Sequence, residues 1–141
     1  MFNPSRDQAR QFLIDAWKKR QASLPATPLE TIAADIVALH PEYHEILAHP
    51  EALQRDWTPE DGAMNPFLHL SLHLAIEEQL SIDQPPGIRA AFESRRSQYG
   101  DHHAALHDVL ECLGEMLWEA QRNRRPPDGV AYVDCIRRKG T

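Results

Sequence analysis

The chain has 141 residues, 42% of them hydrophobic, and a formal net charge of −6. That length suits one domain whose core folds without a disulfide or metal staple, so we expect a single domain over residues 1–141. The acidic charge would repel nucleic-acid phosphates and anionic membrane surfaces, which excludes both as expected partners.

The N-terminus and the cysteines indicate where the protein resides. Residues 1–7 lack the basic and apolar regions of a secretory signal, and no apolar run approaches the roughly 18 residues that a membrane span needs. Cys112 and Cys135 are too few and too far apart for a disulfide framework or a four-thiolate zinc site, and Cys112 is expected as a small core residue. A reducing cytoplasm is therefore the expected location.

Helical signals begin near the N-terminus. Asn3-Pro4 favours a helix start, and the apolar residues that follow repeat with helical spacing through Trp17. Thr27-Pro28-Leu29-Glu30 is typical of an N-cap, a first-turn proline and a capping-box glutamate, which predicts a second helix. Pro41 interrupts that pattern, so we expect a kink or a new short helix after it.

The second half of the chain is also helical in pattern. Residues 50–62 predict an ordered surface loop with Trp57 as its apolar anchor, and Asn65-Pro66 begins a third helix that ends near Ile82. A shorter helix precedes Gly100. The fourth main helix is capped by Asp101, and a weak terminal helix covers residues 130–136. The buried stripe expected on the fourth helix comprises Leu106, Val109, Leu110, Leu113 and Leu117.

No segment alternates as a strand would, so the expected fold is all-α, a bundle of about four main helices with short accessory helices.

Histidine and glutamate recur at one spacing on two of these helices. The first histidine row is His69, His73 and Glu77, and the second histidine row is His103, His107 and Glu111. Residues four apart in a helix lie on one ridge, so each row presents its side chains together.

The neighbours of the first row predict that it is buried. Its helix is apolar nearly all round, as in a helix at the centre of a bundle. A buried imidazole without partners costs roughly 1–3 kcal/mol, so something must hydrogen-bond or coordinate it. Two facing rows of imidazole and carboxylate would bind a divalent transition metal, with iron, manganese or zinc suited to the mixture. His40 and His44 are weaker ligand candidates, because Pro41 makes their projection uncertain.

Several more specific metal-binding motifs are absent from the sequence. A zinc protease needs glutamate directly after its first histidine, where Leu70 and Ala104 stand, and the ferritin-type Glu-x-x-His pair does not occur. The remaining spacing is similar to that of hemerythrin-like bundles. If a coordination position is open, the ion would serve a hydrolase or an oxidoreductase, which leaves enzyme activity undecided.

Two other interpretations remain open. The histidines and glutamates can satisfy one another in a core, in which case the chain would be a non-enzymatic interaction module using Trp17, Trp57 and residues 58–62. Buried histidines would also sense pH near 6. Oligomeric state is not readable from one sequence, although a homodimer that buries spare apolar stripes is the common outcome.

Several blocks of the sequence carry a family resemblance. They are MFNP (1–4), HPEYH (40–44), NPFLHL (65–70), LHLAI (72–76), QLSIDQPPGI (79–88) and ECLGE (111–115). Together they resemble an uncharacterised bacterial family, domain of unknown function 1841, over nearly the whole chain. The resemblance implies a proteobacterial cytoplasmic protein and brings no established activity or catalytic residues.

Overall fold

The computed structural model describes residues 6–55, 57 and 65–139. The regular elements within these ranges are α1 (Arg6–Gln21), α2 (Pro28–Ala38), a 3-10 helix (Pro41–Tyr43), α3 (His44–Ala48), α4 (Pro66–Ile82), α5 (Ile88–Tyr99), α6 (His102–Asn123) and α7 (Gly129–Arg138). The predicted all-α class is confirmed. The four expected main helices correspond to α1, α2, α4 and α6, although α5, expected to be accessory, has 12 residues against 11 in α2. The expected start at Asn3-Pro4 lies outside the described residues.

Contacts along the chain divide it into two compact units, Met1–Leu74 and Ala75–Thr141. The division falls within α4, after its first nine residues. We describe each unit by itself, and the single domain expected from the chain length stays a prediction.

In the first unit, α1 packs against α2 around a core that includes Leu13, Val37 and Leu70. The predicted capping box begins α2: Glu30 N–H donates to Thr27 Oγ1 at 3.1 Å, and Thr27 N–H donates to Glu30 Oε1 at 2.9 Å. These two bonds satisfy backbone donors that a helix N-terminus otherwise leaves unpaired. The capping signal in the sequence therefore fixed where α2 begins.

The end of α2 also follows the sequence pattern. Pro41 starts the 3-10 helix, and α3 follows it directly, so the expected new short helix after the interruption is confirmed. Beyond α3, the buried Arg10 guanidinium donates to the carbonyl oxygens of Ala52 at 3.1 Å and Arg55 at 2.7 Å. Trp57 is half-buried and packs edge-to-face on Phe67, as an apolar anchor should. Residues 58–62 lie outside the described residues.

In the second unit, α5, α6 and α7 pack against one another. A nearly buried ion pair joins Arg95 on α5 to Asp108 on α6 at 3.2 Å, and the buried Tyr132 on α7 donates its hydroxyl hydrogen to Gln79 at 2.7 Å. The stripe expected on α6 is buried except at its last position. Leu117 is 41% exposed, so its predicted burial was wrong. The apolar pattern of α6 continues one turn beyond the part of the helix that is buried.

The cysteines of the second unit form a disulfide. Cys112 on α6 and Cys135 on α7 are 23 residues apart, but the packing of these two helices leaves their Cα atoms 5.8 Å apart. The expectation from the sequence, which concerned only a disulfide framework or a four-thiolate zinc site, did not include this single bond. Sequence separation does not limit a bond between residues on two helices that a turn brings side by side. Cys112 is buried, as expected of a core residue.

Candidate metal centre

The histidines of the first row lie on α4 within the first unit. His73 is 2% exposed and His69 is half-buried. The burial predicted from the apolar sequence of this helix is correct for His73 but not all round the helix, because Leu68 is 50% exposed. One side of α4 therefore faces solvent, while the ridge that carries the imidazoles turns inward.

A third imidazole joins these two. His40, which is 1% exposed, has its ring centroid 4.9 Å from that of His69 and 4.7 Å from that of His73. One ring nitrogen from each residue lies within 4.8 Å of the others. We call His40, His69 and His73 the imidazole cluster. Sequence spacing made His40 only a weak candidate, and the structure places it among the first-row histidines.

A backbone hydrogen bond at the end of α2 sets the tautomer of His40. Its Nδ1 lies 2.8 Å from the carbonyl oxygen of Ile36, one helical turn earlier. A carbonyl only accepts, so Nδ1 carries the hydrogen and Nε2 carries the lone pair. A bond of this kind sets the tautomer that a metal-binding histidine requires.

His44 has a different role. Its Nε2 donates to the carbonyl oxygen of Val37 at 2.8 Å, and its ring packs against Trp17 with the centroids 4.5 Å apart and the planes tilted by 30°. These contacts tie α3 to the end of α2 and to α1. His44 therefore lies outside the imidazole cluster, and Trp17 packs within the first unit instead of presenting an exposed surface.

Tyr43 covers part of the cluster. Its ring stacks on His40 with the centroids 5.6 Å apart and the planes 5° from parallel, and it meets His69 edge-on at 5.7 Å. Burial, with a smaller contribution from the Glu42 carboxylate, raises the pKa of the Tyr43 phenol. The residue therefore stays neutral and presents an aromatic ring to the imidazoles.

The second histidine row lies on α6 in the second unit. His103 and His107 are half-buried, with ring centroids 4.3 Å apart. Glu111 is exposed and bonds Lys139 at 2.6 Å, a contact that raises the pKa of that lysine. Glu77 is half-buried on the part of α4 that belongs to the second unit. That both rows bind one ion stays a prediction, as do the ligand roles of the two glutamates.

The spacing inside the imidazole cluster suits a metal ion. The Nε2 atoms of His69 and His73 form a hydrogen bond at 3.2 Å, so one of the two carries the hydrogen. Two nitrogens bound to one tetrahedral zinc at 2.0–2.1 Å would be about 3.3 Å apart, so this pair already matches an edge of such a site. Imidazole nitrogen is a ligand that zinc, iron, copper and nickel accept. The cluster contains no carboxylate or thiolate among the described residues.

Comparison with known proteins identifies a family for this chain but no activity. No curated protein and no solved structure matches the chain. Within the described residues, none of the helices is both long and apolar enough to span a bilayer. The model of a domain of unknown function, DUF1841, matches residues 5–138. This match covers almost the entire sequence, and the chain therefore belongs to the DUF1841 family.

Proposed function

We propose that this domain binds a divalent transition-metal ion through the imidazole cluster of His40, His69 and His73. One observation carries the proposal: two buried imidazoles and one half-buried imidazole, from two parts of the first unit, each place a ring nitrogen within 4.8 Å of the others. Imidazole nitrogens gathered at one place are a donor set that divalent transition metals accept. Binding would replace the hydrogen bond between His69 and His73 with bonds from both nitrogens to the ion.

The donor set narrows the choice of ion. Iron, manganese and zinc suit the mixed imidazole and carboxylate rows of the sequence, but manganese prefers oxygen ligands. The described cluster offers nitrogen alone, so zinc and iron are the better candidates of the three. Glu77 and Glu111 remain proposed ligands, and carboxylate ligation by either would restore manganese as a candidate.

Coordination number decides whether the ion does chemistry. Three protein ligands with an open position are typical of catalytic zinc sites, whereas four protein ligands are typical of structural ones. We extend the proposal to a metal-dependent hydrolase or oxidoreductase if the second histidine row supplies no ligand. If it supplies a fourth nitrogen, the ion has a structural role. Zinc retention by His107→Ala, compared with the unaltered chain, distinguishes the two cases.

The test of metal binding uses protein purified without an affinity tag after growth with added zinc, iron and manganese. We expect close to one ion per chain by elemental analysis. His69→Ala and the bulkier His73→Gln should each weaken zinc affinity by about 100-fold or more, since even loss of a group that only supports a ligand costs 10–100-fold. His49→Ala, which changes an exposed histidine of the same unit, is the matched control and should retain the ion. Less than about 0.1 ion per chain would refute the proposal.

A second candidate function is a non-enzymatic interaction module with structural histidines. The surface that favours it differs from the one expected, since Trp17 and Trp57 pack into the first unit. Trp118 on α6 is 58% exposed and lies under the Arg122 guanidinium at 5.0 Å. Exposed tryptophan and arginine are common anchors of protein interfaces. Loss of folding without any metal dependence in His69→Ala would favour this candidate.

The predicted location and assembly also remain proposals. The Cys112–Cys135 disulfide weakens the argument for a reducing cytoplasm, because such bonds are rare there. A homodimer stays a prediction, to be tested by light scattering, and so does the exclusion of nucleic-acid and membrane partners from the acidic net charge.

A further inference from the structure

Tyr43 lies where the first unit turns from one ligand-bearing element to the next. It is the last residue of the 3-10 helix that Pro41 begins, and its N–H donates to the carbonyl oxygen of His40 at 3.0 Å. This short loop back onto His40 places the phenol ring over the imidazole of that residue. The same ring reaches His69 on α4.

The cluster members differ in what holds them. His40 is buried and its Nδ1 is bonded to the Ile36 carbonyl, and His73 is almost fully enclosed. His69 is the most exposed of the three, and its Nε2 is hydrogen-bonded to that of His73 at 3.2 Å. The rings of Tyr43 and His69 meet edge-to-face at an interplanar angle of 71°, a packing that favours one orientation of that imidazole.

We infer that Tyr43 is the positioning residue of the imidazole cluster: its ring holds His40 and His69 in the orientation in which their nitrogens converge with that of His73. The inference rests on the proposed metal binding and goes beyond it, because it assigns a residue that donates no ligand atom. Ligands held in place before the ion arrives lose less conformational freedom on binding, so affinity rises. Because the aromatic ring makes these contacts and the hydroxyl does not, phenylalanine should replace tyrosine at this position without loss of metal affinity.

The test compares Tyr43→Phe with Tyr43→Ala in the full chain, using cobalt(II) as the probe. Tetrahedral cobalt has visible absorption bands whose energy and intensity report ligand geometry. Tyr43→Phe should bind cobalt within about twofold of the unaltered chain and give the same bands. Tyr43→Ala should bind roughly 10–100-fold more weakly, the range for residues that orient ligands, with shifted bands.

Leu47→Ala is the control for a loss of stability alone. Leu47 is a buried core residue of α3 that has no ring to orient an imidazole. This variant should lower the melting temperature of the metal-free protein and leave cobalt affinity and the bands unchanged. If Tyr43→Ala fails to fold, Tyr43→Leu, which keeps apolar bulk without a ring, takes its place in the comparison.

The outcomes distinguish a failure of the inference about Tyr43 from a failure of the proposed metal binding. Equal cobalt affinity and equal bands in Tyr43→Ala and the unaltered chain would overturn the inference while leaving metal binding intact. A Tyr43→Phe variant as weak as Tyr43→Ala would also overturn it, since the hydroxyl and not the ring would then matter. No cobalt binding by the unaltered chain, even at millimolar metal, would overturn both.

Discussion

Two groups of buried polar side chains, one in each unit, are held in opposite ways. In the second unit the partners are complementary: Arg95 meets Asp108, and the Tyr132 hydroxyl meets the Gln79 side chain. In the first unit the imidazole cluster groups side chains of one kind, with nitrogens of His69 and His73 only 3.2 Å apart. Complementary pairs satisfy one another and stabilise the fold, whereas grouped imidazole nitrogens are a donor set that a transition metal accepts. The proposed metal binding therefore concerns the imidazole cluster, and the ion pair of the second unit has a role in stability.

The largest stability effect should come from breaking the ion pair of the second unit. Arg95→Ala leaves the nearly buried Asp108 carboxylate without its guanidinium partner, which should lower the free energy of unfolding by about 3 kcal/mol. Urea denaturation measures the change. The adjacent Arg96 pairs with Glu93 at the surface, so Arg96→Ala should cost no more than about 0.5 kcal/mol. Equal losses in the two variants would remove the distinction between buried and exposed pairs.

Reduction of the disulfide should have a comparable or slightly smaller effect. Cys112 and Cys135 close a loop across a separation of 23 residues, and the loss of that constraint should destabilise the protein by about 3 kcal/mol on the loop-entropy estimate, with measured values often lower. Denaturation with and without dithiothreitol measures it. A variant with both cysteines changed to serine should show no dithiothreitol dependence. An unaltered chain that is equally insensitive would mean that the bond is not formed in solution.

The smallest effect concerns the start of α2 and depends on pH. A hydrogen bond from Lys19, followed by the Thr27 backbone N–H, holds the pKa of Glu30 below its usual value. A carboxylate with a lowered pKa stabilises the fold above the unfolded-state pKa, and that contribution is lost as pH falls through the folded-state value. Glu30→Gln should therefore be less stable than the unaltered chain at pH 7, and the difference should shrink below about pH 4. A difference that stays constant down to pH 2 would contradict this assignment.

Local signals in the sequence predicted most of the fold. Thr27 and Asp101 mark helix starts because a cap is a contact between residues two or three apart, which the sequence displays directly. The pairing of His69 with His73 was predictable for the same reason, since helical spacing alone brings them together.

Non-local packing explains what the sequence did not predict. His40 joins the imidazole cluster only because the chain turns at Pro41, and Cys112 meets Cys135 only because α6 and α7 pack together. Periodicity likewise marks an apolar face without saying how far a neighbour covers it, which is why Leu68 and Leu117 are exposed. In each case the deciding contact joins elements whose relative placement no local pattern encodes.

X-ray absorption at the zinc edge of zinc-loaded, untagged protein tests the central claim most directly. Binding by the imidazole cluster predicts nitrogen neighbours at about 2.0 Å with the multiple scattering that imidazole rings produce, and the loss of that signal in His69→Ala. A shell of oxygen atoms without imidazole scattering, or a spectrum that His69→Ala leaves unchanged, would contradict it.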